Sequence, residues 1–181
     1  MNLRTFGIAA IISTLFATAW AVADATATPD PAVAAVTEVA APATPAPAAG
    51  PTLLEKVAAT KVGELKNPYV NADDEIIKQG RKKYLSASCN GCHGGSGGGG
   101  MCPPLSNDVW VYGSDDDTLF RLIALGSVEF TKQTGVGRKG RENVVGPMPA
   151  HGTIVKSEDD MWKIISFIRS NYRGDPSKKA W

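Results

Sequence analysis

Residues 6–20 form a largely apolar run rich in Ala, Ile, Leu and Phe, preceded by Met1-Asn2-Leu3-Arg4 and followed by Ala21-Val22-Ala23. A short positive stretch, an apolar run and a small-x-small site make a secretory signal, predicted to be cleaved after Ala23. The run is too short for a comfortable membrane span. An uncleaved anchor that tethers the protein is the alternative. Over residues 24–51 the pattern dissolves into Ala, Pro, Thr and Val without amphipathic period. Prolines deny this segment a stable helix, so it reads as a semi-extended linker.

Residues 52–181 carry the periodic segments and read as one domain. Asp73, Asp74 and Glu75 lead into Ile76, Ile77, Gly80, Tyr84 and Leu85 at helical spacing, predicting a helix over 73–87. Ser157-Glu158-Asp159-Asp160 resembles a capping box. It opens a helix over 158–172 whose Met161, Trp162, Ile164, Ile165, Phe167 and Ile168 cover most of its circumference. Such a helix must pack on more than one surface. A further helix starts at Ser114-Asp115-Asp116-Asp117, holds Leu119, Phe120, Ile123 and Leu125, and is ended by Gly126. Residues 52–64 suggest a short additional helix. No segment alternates at period two, so the domain reads as all-α.

Charge adds a restriction. Lys and Arg number 19 against 18 Asp and Glu, and loss of Arg4 with the signal leaves the remainder formally neutral. No basic excess points to nucleic acid.

Chemistry enters with Cys89-Asn90-Gly91-Cys92-His93. In a C-x-x-C-H run both thiols can form thioethers with the vinyl groups of one haem, holding the adjacent His against the iron. The expected cofactor is one covalent haem c, bound through Cys89 and Cys92 with His93 as an axial ligand. A redox dithiol lacks its β-α-β context here. A zinc site is conceivable through Cys89, Cys92, Cys102 and one His. An exported chain suits covalent haem, which is attached after export.

Between Gly126 and His151 the sequence predicts a long loop ending in Gly146-Pro147-Met148-Pro149-Ala150-His151. The prolines forbid a helix, so Met148 is presented from a stiff loop. A thioether is a soft sixth ligand that raises the reduction potential. Met1 leaves with the signal, Met101 is too near His93 in sequence to reach across the ring, and Met161 faces helix packing. His151 is the rival ligand.

Over residues 73–172 the pattern resembles class I cytochromes c. Gly80 and Tyr84 match that family's N-terminal helix, where the small residue lets the terminal helices cross, here against the 162–168 face. Cys102-Pro103-Pro104-Leu105 stands where the family has Gly-Pro-x-Leu. The match implies that the Pro103 carbonyl accepts a hydrogen bond from His93 Nδ1. Cys102 departs from the usual Gly. Residues 67–172 further resemble the cytochrome cL group, which accept electrons from PQQ-dependent methanol dehydrogenases, especially the c-553i-like carriers of lanthanide-dependent enzymes. Asn67-Pro68-Tyr69-Val70, the Gly-rich run after His93, and the stretches 101–113 and 138–149 carry that likeness.

The resemblance implies a periplasmic one-electron carrier and not an enzyme. Its donor would be a PQQ-dependent methanol or alcohol dehydrogenase, its acceptor a downstream cytochrome c or oxidase. The alternatives are a membrane-tethered respiratory carrier, or a haem peroxidase or gas-binding protein with an open sixth site. Residues 94–100 hold six glycines and one serine, either opening a haem edge or forming a tolerant surface loop. Cys102 is expected to be a buried small core residue. Lys132, Arg138, Lys139 and Arg141 make the loop before Met148 basic, either as solvated charge or to steer an acidic partner. Trp110 and Tyr112 are candidate propionate donors or haem-wall residues.

Overall fold

The computed structural model describes residues 50–140 and 145–181. The expected signal peptide (1–23), almost all of the linker (24–51) and Arg141 lie outside them. Among the described residues there are helices and no strands: α1 (Leu53–Ala59), α2 (Asp74–Ser86), α3 (Asn90–His93), α4 (Asp116–Thr134) and α5 (Glu158–Ser170), with a 3₁₀ turn at Pro176–Lys178. None of these helices is long and apolar enough to cross a membrane.

Local sequence explains where the helices begin. Asp73, Asp115 and Ser157 each cap a helix with a side-chain oxygen that accepts an N–H from the first turn. Thr52 and Glu55 form a complete capping box at α1, which accounts for so short a helix.

Helices α2 and α5 cross at Gly80, where a Cβ would lie 2.0 Å from the Lys163 carbonyl oxygen. Tyr84 and Phe167 pack beside the crossing, ring centroids 5.1 Å apart, and Lys83 pairs with Asp160 at 2.9 Å. A second face of α5 meets α4 through Phe120 and Trp162, 4.6 Å apart. A third, with Ile164 and Ile168, faces a cavity. The wide apolar circumference of α5 is thus used on three sides.

Two polar hubs join segments distant in sequence. Arg121, buried on α4, pairs with Asp117 at 2.8 Å. It also donates to the carbonyls of Val57, Thr60 and Lys61, fastening the end of α1 and the turn after it. Asn67 donates from Nδ2 to Ser166 Oγ (3.2 Å), while its backbone N–H is bound by Asp116 (3.1 Å).

Gly126 ends a helical run where expected, but a second run follows at once, so the element α4 extends to Thr134. At Gly126 φ is 75° and ψ is 164°, a kink inside the element. The long loop before Met148 therefore starts after Thr134, and Lys132 stands on a helix, paired with Glu129.

Candidate haem site

Helix α2 hands the chain to the cysteine motif through Ser88, a non-glycine residue with φ of 61°. That turn brings Cys89 back under α2, its N–H donating to the Tyr84 carbonyl at 3.2 Å. The single turn of α3 then sets Cys92 and His93 three and four residues beyond Cys89, the spacing that shares one helix face. Cys89 is buried, and burial pushes its thiol pKa up to about 11. Cys92 is half-buried.

His93 Nδ1–H donates to the Pro103 carbonyl at 2.8 Å. This is the contact implied by the family resemblance, and it leaves Nε2 with its lone pair. Burial lowers the His93 pKa; the Pro103 bond opposes this and nearby His151 adds to it. The segment carrying Pro103 is held by Cys102 N–H on the Cys92 carbonyl (3.2 Å) and Leu105 N–H on the Gly97 carbonyl (2.7 Å).

Residues 94–100 fold back on α3 and do not line the cavity. At Gly100 a Cβ would lie 2.7 Å from the Cys92 carbonyl oxygen, so this position has no room for a side chain beside the cysteine motif. Cys102 is half-buried at the cavity wall and is not the fully buried core residue expected.

Met148 also lines the cavity, packed at the edge of the apolar core. Its backbone N–H donates to Ser127 Oγ (2.9 Å) and its carbonyl accepts from Ser127 N–H (3.0 Å). Met101 is exposed and Met161 lies fully inside the helix packing. His151 is outside the cavity wall, with its Nδ1–H given to the Pro149 carbonyl at 2.9 Å.

The cavity measures about 470 Å³ and is walled by apolar side chains that include Leu119, Ile123, Ile164 and Ile168. That is the size and character of a site for a mostly apolar cofactor. Cys89, His93 and Met148 all line it, so a thiol, an imidazole and a thioether face one apolar space. These residues fit a haem. Its mouth is bordered by exposed Val128, Thr131 and Pro147.

Trp110 is a wall residue whose indole N–H is committed to the Leu105 carbonyl at 3.0 Å, so it is not free to serve a propionate. Its outer face stacks on Trp181, centroids 5.4 Å apart, a contact with no signal in the sequence pattern. Tyr112 also lines the cavity, its ring edge-on to Phe130. Lys139 Nζ lies near Gly113 at the same wall. Among the described residues no cluster of three or more His, Cys, Asp or Glu side chains is arranged to hold a metal ion.

Comparison with known proteins gives a family match and several relatives. The cytochrome c family pattern matches residues 77–171. A cytochrome c-L from Methylorubrum extorquens is 27% identical over 117 residues, covering 64% of this chain and 49% of that protein. The chain thus spans about half the length of that curated relative. The crystal structure of cytochrome cL from Hyphomicrobium denitrificans shares 30% identity at a TM-score of 0.43, covering 59% of this chain and 53% of the other. That of cytochrome cL from the marine methylotroph Methylophaga aminisulfidivorans shares 26% at 0.46, covering 69% and 79%.

Proposed function

We propose that this chain, which belongs to the cytochrome c family and so carries covalent haem c, relays single electrons in the periplasm. The donor is a PQQ-dependent methanol or alcohol dehydrogenase and the acceptor a downstream cytochrome c or oxidase. The family is one of electron carriers, with the class I all-α fold. The particular partners follow from the likeness to cytochrome c-L and from the sequence resemblance over residues 67–172.

Haem c supplies reversible one-electron chemistry at iron. In this reading Cys89 and Cys92 would hold it covalently, His93 Nε2 and the Met148 sulfur would ligate its iron, and the Pro103 carbonyl fixes the imidazole. With both positions so held, no site would be left open for a substrate, which would suit a carrier and not an enzyme. The observation that carries the reading is that Cys89, His93 and Met148 line one apolar cavity while His93 Nδ1 is already committed to Pro103. The exposed mouth at Val128 and Pro147 is the proposed contact for the donor, with Lys132 and Lys139 nearby in sequence to steer an acidic surface.

The test mixes purified ferric protein with a lanthanide-type methanol dehydrogenase and methanol in a stopped-flow spectrometer. Rapid, saturable, salt-sensitive haem reduction supports the donor. No reduction, in a protein that ascorbate still reduces, removes the donor and leaves the carrier. A ferric spectrum without the methionine–iron charge-transfer band removes Met148 as a ligand.

A further inference from the structure

An α-helix that meets a residue at φ 75° and ψ 164° cannot continue its ladder of bonds, and Gly126 interrupts α4 in this way. The freed groups are taken by the loop that carries Met148. Ile123 O, the ordinary partner of Ser127 N–H, accepts instead from His151 N–H at 2.9 Å. Ala124 O accepts from Gly152 N–H at 3.0 Å, and Ser127 N–H turns to the Met148 carbonyl at 3.0 Å. Gly126 is required twice over. Its φ disfavours any side chain, and a Cβ there would lie 2.7 Å from both Ala150 N and Met148 O.

The flanking chemistry makes one of these contacts decisive. Pro147 and Pro149 have no N–H, so Met148 carries the lone backbone donor across 147–149. That donor is held by the Ser127 hydroxyl at 2.9 Å. Ser127 is itself buried and lines the cavity. With its amide and hydroxyl it grips Met148 on both sides of the Cα.

We propose that Ser127 is a positioning residue for the iron ligand: presented by the Gly126 kink, it holds the Met148 backbone so that the thioether stays on the haem iron. The inference rests on the axial-ligand reading above. It concerns how firmly the sulfur stays bound, not whether the haem is attached.

The experiment compares holoprotein of wild type, Ser127→Ala, Ser127→Thr and Thr52→Ala, the last losing only the α1 cap as a control for general loosening. Imidazole is mixed with each ferric protein, and loss of the methionine–iron charge-transfer band is followed with time. Removing the hydroxyl leaves a partly buried N–H without its acceptor, which speeds displacement of the sulfur about tenfold in Ser127→Ala. Ser127→Thr, which keeps a hydroxyl, returns toward the wild-type rate, and Thr52→Ala stays at it. Equal rates in Ser127→Ala and wild type overturn the proposal, as does a Thr variant as fast as Ala or a Thr52→Ala variant as fast as both. A wild-type protein that lacks the band overturns the ligand assignment first and this proposal with it. If Ser127→Ala does not accumulate as holoprotein, Ser127→Thr against wild type decides: a rate within twofold supports the proposal, and a tenfold rise overturns it.

Discussion

Substituting Gly80 by Ala should destabilise this protein, although the change favours a helix at an exposed position. Two terms compete. Ala in place of Gly inside a helix contributes about 1 kcal/mol of stability through backbone entropy. Against it, the new Cβ would lie 2.0 Å from the Lys163 carbonyl oxygen, 2.7 Å from its carbon and 3.0 Å from Phe167 Cβ. Ordinary contact begins near 3.4 Å, so α2 and α5 would have to part by roughly 1.4 Å. A gap of that order forfeits more than about half the dispersion energy of the atoms lining it, beginning with Tyr84 against Phe167. Overpacking costs about 1–3 kcal/mol, and the upper end applies because the obstacle is backbone and cannot rotate away. The net expectation is a loss of about 2 kcal/mol for Gly80→Ala. Urea unfolding of the holoprotein, followed by far-ultraviolet circular dichroism, reads this as a lowered midpoint at unchanged slope. A midpoint equal to or above that of wild type would refute the account of the crossing.

Other outcomes follow from named contacts. Arg121→Met leaves Asp117 a buried carboxylate without its cation and should cost about 3–5 kcal/mol in urea unfolding, whereas adding Asp117→Leu should recover only part of that, because the Val57, Thr60 and Lys61 carbonyls and the Leu65 N–H stay without these partners. Tyr84→Phe keeps the buried ring but leaves the Gly94 carbonyl without its 2.8 Å donor, for a loss of about 1 kcal/mol by the same assay. Hydrogen bonds from Lys163 and then Tyr69 hold the Asp159 carboxyl below its usual pKa. The unfolded chain therefore binds this proton first, so the stability it contributes is complete above about pH 3.9 and is lost as pH falls through the lowered folded value. Asp159→Asn should flatten the acid limb of a midpoint-against-pH curve over that window, and an unchanged limb would dismiss the pairing.

Much of the site can be read along the chain because its chemistry is local. Cys89, Cys92 and His93 lie within one helical turn, so their spacing alone carries the haem expectation. Asp73, Asp115 and Ser157 announce helix starts because a cap satisfies N–H groups only two or three residues away. Gly80 and the Pro103 carbonyl are legible through the family pattern, and both contacts occur as that pattern implies. Met148 stands out because two prolines isolate it from any helix. Its ligand role remains for the charge-transfer spectrum to test.

What only the tertiary structure decided depends on partners far apart in sequence. Gly126 reads as a helix end because a positive φ normally strands the following N–H groups and carbonyls. In the fold, residues 148–152 supply those partners, so a second helical run follows directly and the kink becomes the seat of the Met148 loop. Arg121 and Asp117, four residues apart on α4, are both buried, and the backbone at the end of α1 and after it offers three carbonyls to the guanidinium. Trp110 looks available to a propionate until the Leu105 carbonyl is found to hold its N–H. In each case the residue's own chemistry was evident from the sequence. Which distant backbone group would satisfy it was settled only when the chain closed on itself, since a hydrogen bond has a short reach and the chain sets no limit on how many residues lie between its ends.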